Sequence, residues 1–306
     1  MRVAVLGGSG FVGTAVAARL AAAGLAVRVV ARDPDGVPHS AVRADLTEPG
    51  QVAAAVEGVD AVVSLVLHTG SGSWRVLPEQ AEEAAAVNVG IARAAAGTGL
   101  PVVLAGSTSQ AGPSAGERLV GGEVDAPESE YDRQKLAAER IVLAAGGVCL
   151  RLPTVYGPGP LDRGVVSAMA RRALGGEALT VWGSGGMRRD LVHVSDVAEA
   201  FLAAVRHFAA LAGRSWVIGS GSGVSVRELF EMVAAAVGRR TGVVVPVLSV
   251  EPPGHATEGD LRGQVGDAVR FSGVTGWRAS VGLAEGVESV VAGLAWEGTS
   301  GVVHRG

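Results

Sequence analysis

A tyrosine and a lysine four residues apart, in YDRQK (131–135), are the residues of this chain best suited to proton chemistry. Their rarity marks them. Of 26 basic residues other than histidine, only Lys135 is a lysine, and Tyr131 shares its type with Tyr156 alone. Helix positions four apart share a face, so phenol and ammonium point the same way. A phenol titrating near about 10 is a poor acid or base at neutral pH until a cation stabilises its phenolate. An ammonium does this and also donates to a ribose hydroxyl, where the wide fork of a guanidinium fits badly. A lone lysine in an arginine-biased chain is therefore expected where compactness is required. The competing reading, an incidental surface pair on an alanine-rich helix, is weakened by the glycine loop at the other end of the sequence.

That loop, GGSGFVG, follows the first apolar run directly and opens a helical stretch. It reads as Gly7-x-x-Gly10-x-x-Gly13 or as Gly8-x-Gly10-x-x-Gly13, and its spacing lets the backbone bend tightly against a pyrophosphate at a helix N-terminus. With 46 glycines in the chain the pattern alone is weak; its place between strand and helix makes it a dinucleotide cradle of Gly7, Gly10, Phe11, Val12 and Gly13. The second apolar run ends in Arg32, where an acidic residue would hold a ribose 2′-hydroxyl. A guanidinium there suits a 2′-phosphate and favours NADP(H) over NAD(H). In the alternative, Arg32 is solvated and Asp33 is the ribose ligand. Asp45 and Leu46 in RADL fall where a third-strand loop meets the adenine, unless ADL is an ordinary helix approach. VVLAGSTSQ places Ser107, Thr108 and Ser109 at a strand end; Ser107 and Thr108 are candidates to orient a substrate oxygen toward Tyr131, while Ser109 reads better as a polar turn.

Elements that position these groups are visible in outline. Apolar runs at 2–6, 25–31, 60–67, 101–106 and 148–152 read as strands, separated by helical stretches stopped by glycine. This alternation predicts an α/β fold, a doubly wound parallel Rossmann sheet, with a smaller α/β substrate domain at the C-terminal end. The boundary is placed after PTV, giving 1–155 for dinucleotide binding, with a return segment near 190–218, and 156–306 for the substrate.

Composition excludes other classes. A formal charge of −4 and the lack of any basic run argue against nucleic acid. A single cysteine, Cys149, rules out an internal disulfide framework and a cysteine metal cage; inside VCLRL it reads as a buried strand residue. No apolar run is long enough for a membrane span, and MRVAVLGGSG enters a strand at once without the pattern of a signal peptide, so a cytoplasmic protein is expected.

With the glycine loop, strand-end serine and YxxxK together, the chain resembles the extended short-chain dehydrogenases/reductases. LRLPTVYGPG (150–159), MRRDLVHVSDVAEAF (187–201) and TGWRASVGLAEGV (275–287) continue the likeness over nearly the whole length. The resemblance implies a Ser107–Tyr131–Lys135 triad, cofactor-side positions at Asn88 and Pro153, and Arg189 and Arg262 meeting a sugar nucleotide's diphosphate, although Arg262 also reads as a solvated loop arginine. Sugar-nucleotide 4,6-dehydratases carry Asp-Glu directly after the strand-end hydroxyl, where this chain has Thr108 and Ser109, so dehydration is not expected. Fucose-synthase-type enzymes use a Cys and a His, and Cys149 is placed in a core strand. Segments 65–75, 107–119, 151–160 and 163–182 are most similar to the TDP-4-keto-6-deoxyhexose 4-ketoreductases of antibiotic deoxysugar pathways. That likeness implies a TDP-sugar substrate, a homodimer, a sugar pocket with His68, Trp74 and Arg75, and further substrate-binding positions at Arg163 and Trp182. For His68 and Trp74 a turn histidine and a packing tryptophan are the competing readings. His193 reads as structural, and Trp182 and Tyr156 are left open between covering a base and covering the nicotinamide. A sugar-nucleotide 4-epimerase with tightly held NAD, or a redox sensor that reads NADP(H) without chemistry, are the alternatives.

Overall fold

A computed structural model describes residues 1–70, 75–112, 116–159, 162, 164–254 and 262–300, the last four of these by backbone alone. Trp74 and Arg163 lie outside the described residues. In chain order the elements of the first half are β1 (Arg2–Leu6), α1 (Phe11–Ala22), β2 (Ala26–Ala31), β3 (Ser40–Arg43), α2 (Gln51–Ala55), β4 (Ala61–Ser64), α3 (Ala81–Ala85), α4 (Ile91–Ala96), β5 (Val102–Ser107), β6 (Arg118–Leu119), α5 (Glu130–Ala144) and β7 (Val148–Leu152). There follow β8 (Thr154–Tyr156), α6 (Val165–Leu174), β9 (Leu179–Trp182), β10 (Arg188–His193), α7 (Val194–Arg206), α8 (Phe208–Leu211), β11 (Arg214–Val217), β12 (Gly223–Ser225), α9 (Val226–Thr241), β13 (Val247–Val250), β14 (Val265–Gly266), α10 (Val269–Thr275) and α11 (Leu283–Ser300).

Seven parallel strands form one sheet in the order β3-β2-β1-β4-β5-β7-β11. Alternate residues of each strand serve opposite faces. Val3, Val5, Val29, Val103 and Leu150 pack under α1 and α7, whereas Ala4, Leu6, Val30, Leu104 and Cys149 pack under α2, α4 and α5. Helices cover both faces, which is why the central strands are apolar without alternation. β3 is the exception. It sits at the sheet edge, mostly exposed, and so gives no apolar run in the sequence. The run expected over 60–67 is a strand only to Ser64; the chain then leaves the sheet's carboxyl edge as the loop carrying His68.

Of the return segment near 190–218, α7 and β11 rejoin the main sheet, while β10 pairs with β8 and β12 in a separate three-stranded sheet. A third apolar cluster, built on α6, α9 and α11 and including Phe230, Val233 and Val287, forms the core of the C-terminal part. Asp190 and Asp196, both buried, stitch this part together. Asp190 accepts from the backbone of Ser220 and Gly266, and Asp196 accepts from the backbone of Ser280 and Val281.

Candidate active site

The glycine turn has the geometry its spacing predicts. Gly7 lies at φ +76°, a conformation that a side chain rarely adopts, and Gly10 N–H donates to Gly7 O at 3.1 Å. A Cβ on Gly13 would stand 2.2 Å from Gly7 O, so only glycine lets α1 approach the turn. Gly10 is the N-cap of α1, with Phe11 and Val12 as its first residues and no acidic residue in the first turn. A backbone cradle at a helix N-terminus fits the pyrophosphate of a dinucleotide. Arg32 is exposed just beyond β2. Asp45 accepts from Thr47 N–H at 3.0 Å and Thr47 Oγ1 at 2.6 Å, and these bonds, with smaller help from the Arg32 charge, hold its carboxyl below the usual range. Leu46 beside it is buried. Arg43, which sequence reasoning did not single out, donates to the Arg32 carbonyl and pairs with Asp33 and Asp35.

At the carboxyl edge of β5 stands Ser107, and α5 brings Tyr131 and Lys135 to it. α5 begins at a reciprocal cap: Ser129 Oγ accepts from Asp132 N–H at 3.1 Å while Asp132 Oδ2 accepts from Ser129 N–H. Tyr131 is thereby fixed in the first turn, hydrogen-bonded to the Ser107 hydroxyl. Lys135 is only 6 % exposed; its Nζ donates to Ala105 O at 2.9 Å and lies 5.9 Å from the centre of the Tyr131 ring. Burial pulls its pKa down to about 8. Sequence reasoning expects the ammonium to make the phenol more acidic. In the structure burial outweighs any such effect. The Tyr131 pKa is pushed up to about 12, with the Ser107 hydroxyl pulling it down and the Asp132 carboxylate pushing it further up.

Ser109 is more than a turn residue. Its hydroxyl lies 2.7 Å from that of Ser107 and donates to Asp132 Oδ1, so a strand-end turn and a helix share one hydrogen-bond chain. Thr108 is buried in the same turn. Asn88 sits in a π-helical turn (Ala86–Gly90) of the kind often found at functional sites. It accepts from His68 N–H at 2.9 Å and donates to Gln134 Oε1 at 2.9 Å. His68 is buried, its Nε2 lies 3.5 Å from Glu83, and its Nδ1 has no hydrogen-bond partner among the described residues. Arg75 follows on this loop, exposed. Pro153 is half-buried between β7 and β8.

In the C-terminal part a cavity of about 400 Å³ is lined by Met169, Val181, Trp182, Arg189, Leu229 and Phe230, among others. Trp182 and Arg189 therefore share one pocket. The backbone of the 262–266 segment pairs with β10: Asp190 N–H donates to Gln264 O and Gln264 N–H to Arg188 O. Arg262, two residues upstream and exposed, comes to the same edge. Tyr156 covers neither base nor nicotinamide; it is a core residue with its ring edge-on to His193 at 5.4 Å. His193 caps α7, its Nδ1 accepting from Ser195 N–H and lying 2.7 Å from Ser195 Oγ. A second hollow, beside Met1, Arg2 and Asp60, is at the amino edge of the sheet and holds none of these groups. No metal-ligating cluster of His, Cys, Asp or Glu occurs among the described residues, and no described helix is long and apolar enough to cross a membrane.

Known proteins are similar to this chain in sequence and in fold. The chain is 35% identical over 263 residues to a 2-alkyl-3-oxoalkanoate reductase of Stenotrophomonas maltophilia, covering 78% of this chain and 76% of that one. It is 30% identical over 273 residues to a dTDP-6-deoxy-L-talose 4-dehydrogenase (NAD(P)(+)) of Kitasatospora kifunensis, covering 82% and 83% respectively. Among solved structures, MoeE5 in complex with UDP-glucuronic acid and NAD superposes with a TM-score of 0.80 at 29% identity, over 97% of this chain and 100% of that one. The sequence profile of one family matches residues 3–219, from β1 through the last strand of the main sheet. By sequence and by fold alike, this chain is a member of the NAD dependent epimerase/dehydratase family, an enzyme family of extended short-chain dehydrogenases/reductases.

Proposed function

We propose that the protein is an NADPH-dependent reductase of the C4 ketone of a TDP-4-keto-6-deoxyhexose. The observation that carries this reading is the Ser107–Tyr131–Lys135 cluster, in which the phenol is held protonated and Ser107 is followed by no acid pair at 108 and 109. A protonated phenol is the starting state that ketone reduction requires. Reduced nicotinamide, when bound, supplies hydride to C4. Tyr131 gives its proton to the ketone oxygen, and Ser107 fixes that oxygen. Lys135 offsets the charge left on Tyr131 and donates to the ribose. Arg189 and Arg262 clamp the diphosphate with fork geometry. Arg32 meets the 2′-phosphate. The relative named for 4-dehydrogenation of a dTDP-6-deoxysugar supports the substrate class. A cytoplasmic homodimer belongs to the same reading, and sedimentation of the purified protein checks the dimer.

The test is to offer NADPH with enzymatically generated TDP-4-keto sugars and to assign the product's C4 configuration by NMR. NADPH consumption with formation of the 4-hydroxy sugar is expected. NAD that co-purifies, with interconversion of 4-epimers and no net redox change, would instead make the protein a 4-epimerase.

A second reading is favoured by the lining of the 400 Å³ cavity, which is mostly hydrocarbon, with methionines at 169 and 187. A ketone bearing an alkyl body fits such walls, and the reductase from Stenotrophomonas maltophilia is named for a substrate of that kind. Reduction of a 2-alkyl-3-oxoalkanoate in the same assay, without turnover of keto sugars, would select it.

A further inference from the structure

Behind the Ser107–Tyr131 pair runs a chain of buried polar groups that the proposed chemistry does not use. Ser107 N–H donates to Gln110 Oε1 at 2.7 Å, and Gln110 Nε2 donates to Glu139 Oε2 at 3.0 Å. Arg151 grips the same carboxylate with two nitrogens, Nε to Oε2 at 2.9 Å and a terminal nitrogen to Oε1. Its terminal nitrogens also meet both oxygens of Asp125, at 2.7 and 3.0 Å. Gln110 is fully enclosed, Glu139 is 3 % exposed and Arg151 5 %.

A carboxylate and a guanidinium inside a core, with the half-buried Asp125 beside them, are costly to desolvate, and well-packed apolar side chains often hold a fold as well or better. Stability therefore gives no reason for this cluster. Its placement does. Glu139 is eight residues beyond Tyr131 on α5, on the face that also carries Lys135. Through Gln110, that one carboxylate ties the turn bearing Ser107 to the helix bearing both other members of the site. The segment with Asp125 closes over the same turn: a Cβ on Gly112 would meet Ala126 O at 1.9 Å, and Ala126 N–H donates to Ala111 O. Four segments, the β5 end, the loop before α5, α5 itself and β7, thus meet at Glu139 and Arg151.

We infer that Glu139 is a positioning residue for Ser107, acting through Gln110, and that Arg151 with Asp125 holds the Glu139 carboxylate in the direction this requires. The inference rests on the proposed function only in taking Ser107 and Tyr131 as the reacting pair. Misplacing a catalytic group by an ångström can cost on the order of 10² in rate.

The test is a double-mutant cycle. Gln110→Met, which keeps the volume and removes both hydrogen bonds, is expected to lower kcat by about 10- to 100-fold while leaving the NADPH Kd unchanged. In a Ser107→Ala background the same substitution is expected to cost nothing further, because the hydroxyl it positions is gone. Multiplying losses, or an unchanged kcat in Gln110→Met alone, would overturn the inference. If Gln110→Met does not fold, Glu139→Gln, which keeps the shape, enters the same cycle. Amide hydrogen exchange in the free protein gives an arm that needs no substrate. Glu139→Gln should speed exchange at Ser107 and leave Val103 and Leu104 in mid-strand unchanged; unaltered exchange at Ser107 overturns the inference. A wild-type protein that reduces no keto sugar would sink the proposed function alone, and the exchange arm would still decide the role of Glu139.

Discussion

The Lys135 ammonium donates to the carbonyl of Ala105 at 2.9 Å, so the only lysine of the chain is anchored to the strand that ends in Ser107. This bond holds Nζ beneath the Tyr131 ring instead of in solvent. The space admits a compact cation. Lys135→Arg should keep the charge and still lose turnover, by about 10²–10⁴-fold as expected for a disabled general acid. Steady-state kinetics with NADPH checks it, and activity within threefold of wild type would refute the requirement for compactness.

Burying this lysine costs stability. Its pKa is lowered from 10.5 to about 8. Between those values the unfolded chain holds a proton that the native state has released, so this group's contribution makes stability rise with pH across that window. Lys135→Met should abolish activity yet unfold at an equal or higher denaturant concentration at pH 7, gaining on the order of 1–3 kcal/mol. It should also flatten the rise in stability between pH 8 and 10.5.

The alkaline limb of activity is expected to belong to Lys135 and not to Tyr131. The phenol keeps its proton to about 12, whereas the ammonium is lost near 8. A neutral amine offsets no phenolate charge, so kcat/KM for NADPH should fall as pH rises through about 8. A limb that first appears above pH 10 would assign it to the phenol instead.

After burial and the Ser107 hydroxyl, the Asp132 carboxylate is a smaller influence on the phenol's proton affinity, exerted from the neighbouring position. That carboxylate pushes the Tyr131 pKa up. Asp132→Asn should therefore lower the phenol midpoint. Ultraviolet titration reads this cleanly in a Tyr156→Phe background, since the chain has only two tyrosines. An upward shift would contradict the push of the Asp132 carboxylate on the phenol.

Cofactor binding separates two glycines and one arginine. A Cβ on Gly13 meets Gly7 O at 2.2 Å, against 3.3 Å for one on Gly10. Gly13→Ala should lose about 1–3 kcal/mol of stability together with NADPH binding, and Gly10→Ala should lose far less of either. Arg32→Ala should weaken NADPH by about tenfold and NADH hardly at all, the modest size reflecting its exposure. Calorimetric titration with both cofactors distinguishes these outcomes.

The sequence by itself determined the central strands of the sheet and the tyrosine–lysine pair. Apolar runs bounded by glycine specify strands buried on both faces. A tyrosine and a lysine one helical turn apart must share a face whatever surrounds them, and a glycine turn between strand and helix makes an anion cradle from backbone alone. Only the tertiary structure decided the rest. The edge strand β3 carries no apolar signal, because one of its sides is solvent. The join of Ser109 to Asp132 spans 23 residues, that of Gln110 to Glu139 spans 29, and the pairing of Gln264 with Arg188 brings the distant Arg262 to the edge of β10. Tyr156, legible as an aromatic near the hinge, is a core residue because α11 closes over it: a Cβ on Gly286 would touch its hydroxyl. The acidity of Tyr131 was likewise hidden. Spacing reveals that a cation is near, but the phenol's proton affinity is set by the water that packing removes, and that is a property of the closed fold.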